Sequence, residues 1–268
     1  MQNIFFNYLR NIRYKYLDFK NSKYFNEIKK LRNSKKHKSI FIFGNGKSLN
    51  ILNLNKIHNL QKKKFDVMVM NNFFSSNKSK KIKPTFWLTT DNRVINPKKK
   101  YFYKNIEKYR DIVSNLKHIQ KLSCKILLPH NIISTTIKKN IVFFNGNINI
   151  SSENYFDVTR SRNLFYLSGV TAISIAKYFG YKKIYICGLD NDQWITTKVT
   201  KDNKVYFNSS YFYRKPKNSY VGNDIYEILN KFNNIYFSYM KLKSNNIINL
   251  DPKSTITYFN KKHKLDVY

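Results

Sequence analysis

Several short polar stretches of this chain carry residue types that could do chemistry: Gly44-Asn45-Gly46-Lys47-Ser48, Asn71-Asn72, Thr89-Thr90-Asp91, Ser168-Gly169 and Gly188-Leu189-Asp190-Asn191-Asp192. Gly44 and Gly46 permit a tight turn and close approach of backbone to a ligand. A helix opening behind them would turn unpaired N–H groups toward a phosphate. Neither standard phosphate motif is complete. Leu49 stands where a dinucleotide fingerprint has its third glycine, and Gly46-Lys47-Ser48 lacks the earlier glycine of a Walker loop. Asp190-Asn191-Asp192 has the D-x-D spacing that can hold a divalent ion on a nucleotide sugar, a triplet that also arises easily by chance. The five histidines (His37, His58, His118, His130, His263) are scattered and none pairs with an acid at ligand spacing, so no metal is expected. There is no nucleophile elbow and no Cys–His pairing.

Those stretches need elements to position them, and the chain supplies them at regular intervals. Ser39–Phe43 is a short apolar run ending at Gly44, Asp66–Met70 ends at Asn71-Asn72, Thr85–Thr90 ends at Asp91-Asn92, and Lys183–Cys187 ends at Gly188-Leu189-Asp190. Lys125–Leu128 and Ile141–Phe144 are further strand candidates, with late strands at Ile235–Phe237 and Ile247–Leu250. Helices are expected behind Gly46 to about Leu54, over Ser168–Phe179 with Gly180 as its stop, and over Asp224–Phe232. Buried strands alternating with helices imply a parallel sheet covered on both faces. Ligands bind such sheets beyond the carboxyl ends of the strands. The expected fold class is α/β, a single Rossmann-like doubly wound parallel sheet spanning 39–268. Residues 191–222, rich in Tyr and Lys without a clear period, read as a lid.

Residues 1–38 form a separate extension in this reading. Phe5, Leu9, Ile12, Tyr16 and Phe19 fall at helical spacing with Arg10, Arg13, Lys15 and Lys20 among them. Such a basic amphipathic helix could lie on an anionic membrane surface or dock on the body of its own chain. Lys35, Lys36, His37 and Lys38 make a polar joint.

Composition sets the outer limits. The chain has 268 residues, 50 Lys+Arg against 15 Asp+Glu, and a net charge of +35. That field attracts polyanions. Lys, Asn, Ile, Tyr and Phe share AT-rich codons, so gene composition can account for part of it. No RNA- or DNA-binding module is recognisable, and no specific nucleic-acid partner is expected. A hydrophobic share of 42% is too high for a disordered basic tail. Apolar runs of about four to seven residues are too short to span a bilayer. Cys124 and Cys187 sit in apolar, strand-like runs and read as reduced and buried, and the first residues lack the features of a signal peptide. A cytoplasmic chain, peripheral on the inner face of the membrane, is the expectation.

Four pieces, in order, carry a resemblance. They are Ile40–Leu49, Phe65-Asp66-Val67 leading to Asn71-Asn72-Phe73, Ser168-Gly169-Val170 leading through Ala176 to Gly180–Asp190, and Asn223-Asp224-Ile225 followed by Asn249–Ser254. Over about residues 39–258 the chain resembles the bacterial sialyltransferases of Campylobacter type, glycosyltransferase family 42. A wider set, including pterin-pyrophosphokinase-like proteins, shares the first and third pieces.

The resemblance implies a Rossmann-like domain with a flexible lid. It implies metal-independent, inverting transfer of sialic acid or a related sugar, with no cofactor beyond the CMP-sugar donor as substrate. It also implies a lipooligosaccharide or capsule glycan acceptor, hence a glycolipid partner, and a homo-oligomer. By position, Asn45, Gly46 and Ser48 would approach the nucleotide phosphate and ribose, Asn71 the sugar or phosphate, and Thr90 or Asp91 the donor. Ser168 and Gly169 would take the sugar carboxylate, and Gly188, Leu189 and Asp190 the cytidine. The family draws phosphate-binding hydroxyls from lid tyrosines, for which Tyr206, Tyr211, Tyr213 and Tyr220 are available, with Tyr211 and Tyr213 taken as catalytic candidates.

Two departures stand out. The family's catalytic His is missing from Lys217–Asn223, and Phe165 replaces an Arg for which Arg160 or Arg162 could substitute. Asp190 and Asp192 are the remaining carboxylate candidates for a general base. Alternatives are a pyrophosphokinase-like enzyme requiring Mg²⁺ and ATP, and a non-enzymatic polyanion-binding protein.

Overall fold

Apolar runs bounded by turn residues become buried strands. The computed structural model describes residues 2–33, 37–102, 106–134, 137–164, 167–222 and 224–262. Its strands are β1 Ser39–Phe43, β2 Asp66–Met70, β3 Phe86–Leu88, β4 Lys125–Pro129, β5 Ile141–Phe144, β6 Lys183–Cys187, β7 Lys198–Val199, β8 Val205–Tyr211, β9 Arg214–Gly222, β10 Ile247–Asn249 and β11 Asn260–Lys261. The helices are α1 Gln2–Asn21, α2 Asn26–Asn33, α3 Leu54–Lys64, α4 Asn92–Ile95, α5 Ile106–Gln120, α6 Ser168–Tyr178 and α7 Ile225–Lys241. Eight strands form one sheet in the order β11-β10-β6-β1-β2-β3-β4-β5. Every pairing in it is parallel. None of the described helices is long and apolar enough to cross a membrane.

Side chains alternate across the sheet with period two, so β1 feeds both cores. Ile40 and Ile42 face a cluster containing Val170 and Ile173 of α6 and Tyr239 of α7. Phe41 and Phe43 face one containing Ile57 of α3 and Ile112 and Leu116 of α5. Each such side chain, fully buried, contributes about 1.5–3 kcal/mol. The sheet is therefore covered on both faces, and the doubly wound Rossmann-like expectation holds.

The chain runs β1 to β5 in one direction across the sheet and β6, β10, β11 in the other. The order reverses between β1 and β6. Loops leaving the carboxyl ends of strands on either side of such a reversal diverge and leave a crevice.

Four expectations are corrected. The segment behind Gly46 is a 3-10 turn, Lys47–Ile51, and the α-helix begins only at Leu54. Ile235–Phe237 is not a strand. It lies inside α7, where Ile235 is buried on the helix's inner face and Phe237 is partly exposed. The strand expected over Thr85–Thr90 narrows to Phe86–Leu88. Residues 191–222 are not irregular throughout, because β7, β8 and β9 form a separate antiparallel sheet. In addition, α2 reaches into the body, with Phe25 just before it and Ile28 fully buried in the α6-side core.

Candidate functional site

Gly44 and Gly188 meet at the strand ends where the order reverses. The Gly44 N–H donates to the Cys187 carbonyl at 2.8 Å, and the Gly46 N–H to the Gly188 carbonyl at 2.8 Å. A Cβ on Gly44 would overlap the Gly188 carbonyl oxygen, and Gly188 holds φ +75. Both positions need glycine, one for room and one for conformation. A Cβ on Gly46 would overlap the Asp190 carboxylate.

Asp190 is spent on the opposite loop. Its Oδ2 accepts the Ser48 N–H at 3.1 Å, and its Oδ1 accepts the Ser48 hydroxyl. The Ser48 Oγ in turn accepts the Gly188 N–H at 3.0 Å. Burial raises the Asp190 pKa. The Ser48 bonds oppose that shift without cancelling it, and the Asp192 and Asp251 carboxylates add to it. The N–H expected to face a phosphate at Ser48 is thus occupied by a protein carboxylate. Asp192 sits nearer solvent and pairs with Lys47 at 3.1 Å, which raises the Lys47 pKa. Cys187 beneath them is a neutral thiol, pushed up by burial to about 12.

β2, β3 and α6 bring a second group together. Asn71, at φ 48, presents its Oδ1 to the Thr89 hydroxyl at 2.8 Å and the Ser168 hydroxyl at 3.2 Å. The Thr90 and Ser168 hydroxyls lie 2.9 Å apart. The Asn71 carbonyl accepts the Trp87 indole N–H at 2.9 Å and the Asn115 amide at 3.0 Å. Asn115 is buried within the apolar stripe of α5; a polar residue between Ile112, Leu116 and Ile119 was its sequence signal. Ser168 and Gly169 open α6, whose first N–H groups have no intrahelical acceptor. Asp91 caps α4 and grips Arg93 through both carboxylate oxygens, at 3.0 and 2.8 Å. Burial alone would raise the Asp91 pKa; the bonds from Arg93 outweigh it and hold the carboxyl below its usual range.

Asn45 lies between the two groups. Its Nδ2 donates to the Met70 carbonyl at 3.2 Å, while its Oδ1 is buried with no hydrogen-bond partner. An unmade bond at a buried acceptor costs about 1–3 kcal/mol.

The β8–β9 hairpin folds back on the Gly44–Gly46 turn. Tyr211 bridges to Gly46, and the Phe212 N–H donates to the Asn45 carbonyl at 3.1 Å. Phe212 is buried with its ring 5.6 Å from that of Phe73. The Tyr211 and Tyr213 rings stack on each other at 5.4 Å. Tyr206 and Tyr220 pair with each other at the other end of the hairpin. Leu189 packs over Gly169, and Asn191, at φ 48, ties the Leu189 carbonyl to the Tyr239 hydroxyl.

The two arginines suggested as substitutes go elsewhere. Arg162 is buried, donating to the Ser174 hydroxyl at 2.8 Å and the Asn145 carbonyl at 3.2 Å. Arg160 is exposed beside Asp157 at 3.5 Å. Phe165, Asn223, Lys35, Lys36 and His263 lie outside the described residues. Among the described residues no cluster of three His, Cys, Asp or Glu has metal-holding geometry.

No family model matches the sequence, and no curated protein matches it. The fold does resemble solved structures. The MAf glycosyltransferase from Magnetospirillum magneticum AMB-1 superposes with a TM-score of 0.50 at 12% identity, over 86% of this chain and 34% of that one. The likeness is one of fold. This chain spans about a third of that protein's length.

Proposed function

We propose that the chain is a glycosyltransferase that binds a nucleotide-activated sugar in the β1/β6 crevice, with a CMP-linked sialic acid or related sugar as donor. The observation that carries this reading is the orphaned Asn45 Oδ1, buried where the strand order reverses and roofed by a tyrosine-tipped hairpin. A nucleotide or sugar N–H or O–H would satisfy it. The resemblance of the strand-end stretches to family 42, and the fold likeness to a glycosyltransferase, support the same reading.

In this reading the pyrimidine nucleoside lies against Gly188 and Leu189, a ribose or sugar hydroxyl donates to the Asn45 Oδ1, and the phosphate meets the Tyr211 and Tyr213 hydroxyls. Glycosyl transfer separates a cationic sugar from an anionic phosphate. Hydroxyl donors aimed at that phosphate stabilise the separation without a metal. The sugar carboxylate lies at the α6 N-terminus, beside Ser168, Gly169, Thr90 and Asn71. Asp190 positions the Gly46–Ser48 turn, because both its oxygens are engaged by Ser48. Asp192, partly exposed beside Lys47, is the carboxylate left to take the acceptor hydroxyl's proton. The acceptor is a glycan on an anionic lipid carrier, in keeping with the +35 charge.

The test is release of CMP from CMP-sialic acid in excess EDTA, with and without a lipooligosaccharide acceptor. Release that persists in EDTA and rises with acceptor is expected. Release only on adding Mg²⁺, or turnover of ATP instead, would overturn the reading.

A further inference from the structure

Helix α1 is amphipathic in the reverse of the usual sense. It docks on the body through polar residues. The Asp18 carboxylate accepts the Ser161 N–H at 3.0 Å, the Ser161 hydroxyl at 2.6 Å and the Asn145 amide at 2.7 Å. Asn11 accepts from the Asn149 amide at 3.2 Å, and Asn7 from the Ser151 hydroxyl at 3.3 Å. At the helical repeat, Asn7, Asn11 and Asp18 share one face within about 40°. Phe5, Tyr8, Leu9, Ile12, Tyr16 and Phe19 fall within about 100° on the far side. They are exposed, Phe19 at 79% and Phe5 and Tyr16 at 61% each. A helix held only to shield its apolar side would turn that side inward. This one turns it out and fixes it there with hydrogen bonds.

Cations flank the stripe. Arg13 and Lys20 lie along one edge and Lys15 along the other. Lys15 and Phe19 also line an open cleft between α1, α2 and the 157–160 loop, where Lys29, Arg32 and Arg160 converge. The two carboxylates there are engaged, Asp18 as above and Asp157 by Thr159 and Arg160.

We infer that the outward face of α1 docks in the plane of an anionic lipid bilayer. Its aromatic stripe enters the boundary between headgroups and acyl chains, and the flanking and cleft cations meet lipid phosphates. Aromatic rings with Lys and Arg beside them are the composition that interface favours. Charge complementarity selects lipid over a second copy, since pairing two such faces would bring Arg13, Lys15 and Lys20 of two chains of net charge +35 together. The inference is independent of the donor chemistry proposed above.

The test uses the full chain with phosphatidylcholine vesicles, with and without phosphatidylglycerol. An Ile12→Trp variant, with unsubstituted protein subtracted, should shift its emission to the blue on phosphatidylglycerol vesicles and be quenched by brominated acyl chains, and high salt should weaken this without abolishing it. Phe5→Ser with Phe19→Ser should lower the partition coefficient about tenfold or more with an unchanged melting temperature. An emission unaltered by vesicles, or equal binding to neutral vesicles, would overturn the inference. So would a dimer in sedimentation that Phe19→Glu dissociates, because a second copy would then cover the face.

Discussion

Ser48 and Asp190, 142 residues apart in sequence, hold each other by two hydrogen bonds that close the β1 turn onto the β6 turn. Ser48 answers Gly188 with its own oxygen, so one side chain ties both loops.

Asp190→Ala strands the Ser48 N–H and hydroxyl in a buried place and should cost about 2 kcal/mol. Asp190→Asn keeps an acceptor for the N–H and removes a buried charge, so it should cost less. The pH dependence follows from the raised pKa. The unfolded carboxyl ionises at its ordinary value and the folded one only at higher pH. This group's contribution to stability is therefore full at low pH and falls as pH rises through the folded value. Denaturant melts of unsubstituted protein and Asp190→Asn should diverge across that window, with the unsubstituted protein losing the more.

Asp192→Asn should lower kcat by about 10²–10⁴ if Asp192 takes the acceptor's proton. Its pair with Lys47 is partly exposed and contributes about 1 kcal/mol at most, so stability should change little. An unchanged kcat with intact folding would assign the proton to another group.

Gly44→Ala places a methyl group on the Gly188 carbonyl, backbone against backbone, and neither strand end can yield cheaply. A loss of about 1–3 kcal/mol is expected in chemical denaturation, together with loss of nucleotide binding. Gly46→Ala instead meets the Asp190 side chain, which can rotate by giving up Ser48. It should cost less stability than Gly44→Ala and weaken nucleotide binding without abolishing it.

The parallel sheet was legible because a strand buried on both faces is an unbroken apolar run, as in Ser39–Phe43, Asp66–Met70 and Lys183–Cys187. α6 was legible through its small apolar residues and the Gly180 stop, which takes φ 73. β8 and β9 were not, because a two-faced hairpin over solvent has no apolar side to repeat and reads as Val-Tyr-Phe-Asn-Ser-Ser-Tyr against Arg-Lys-Pro-Lys-Asn-Ser-Tyr-Val-Gly. Ile235–Phe237 misled because three adjacent apolar residues fit a strand as well as a helix that buries only some of them. The strand-end polar residues could be found in sequence. The engagement of Asp190 by Ser48 could not, since nothing local marks a contact across 142 positions.

Phe212 pins the hairpin tip to Phe73 and meets Tyr213 edge to face. Phe212→Ala should free the tip while leaving the main sheet intact. Limited proteolysis within 199–222 should accelerate, the affinity for CMP should fall, and the global melting temperature should move only slightly.

The central claim is that the β1/β6 crevice takes a cytidine nucleotide. Its most direct test is the melting temperature of the full chain at high salt with CMP, CDP, UDP, GDP, ATP with Mg²⁺, or a short oligonucleotide. A ligand that binds only the folded state stabilises it by about 2.7 kcal/mol at a hundredfold excess over Kd, and high salt suppresses binding by charge alone. The account predicts a rise with CMP in EDTA that Gly44→Ala abolishes. A rise with ATP and Mg²⁺ or with the oligonucleotide, and none with CMP, would contradict it.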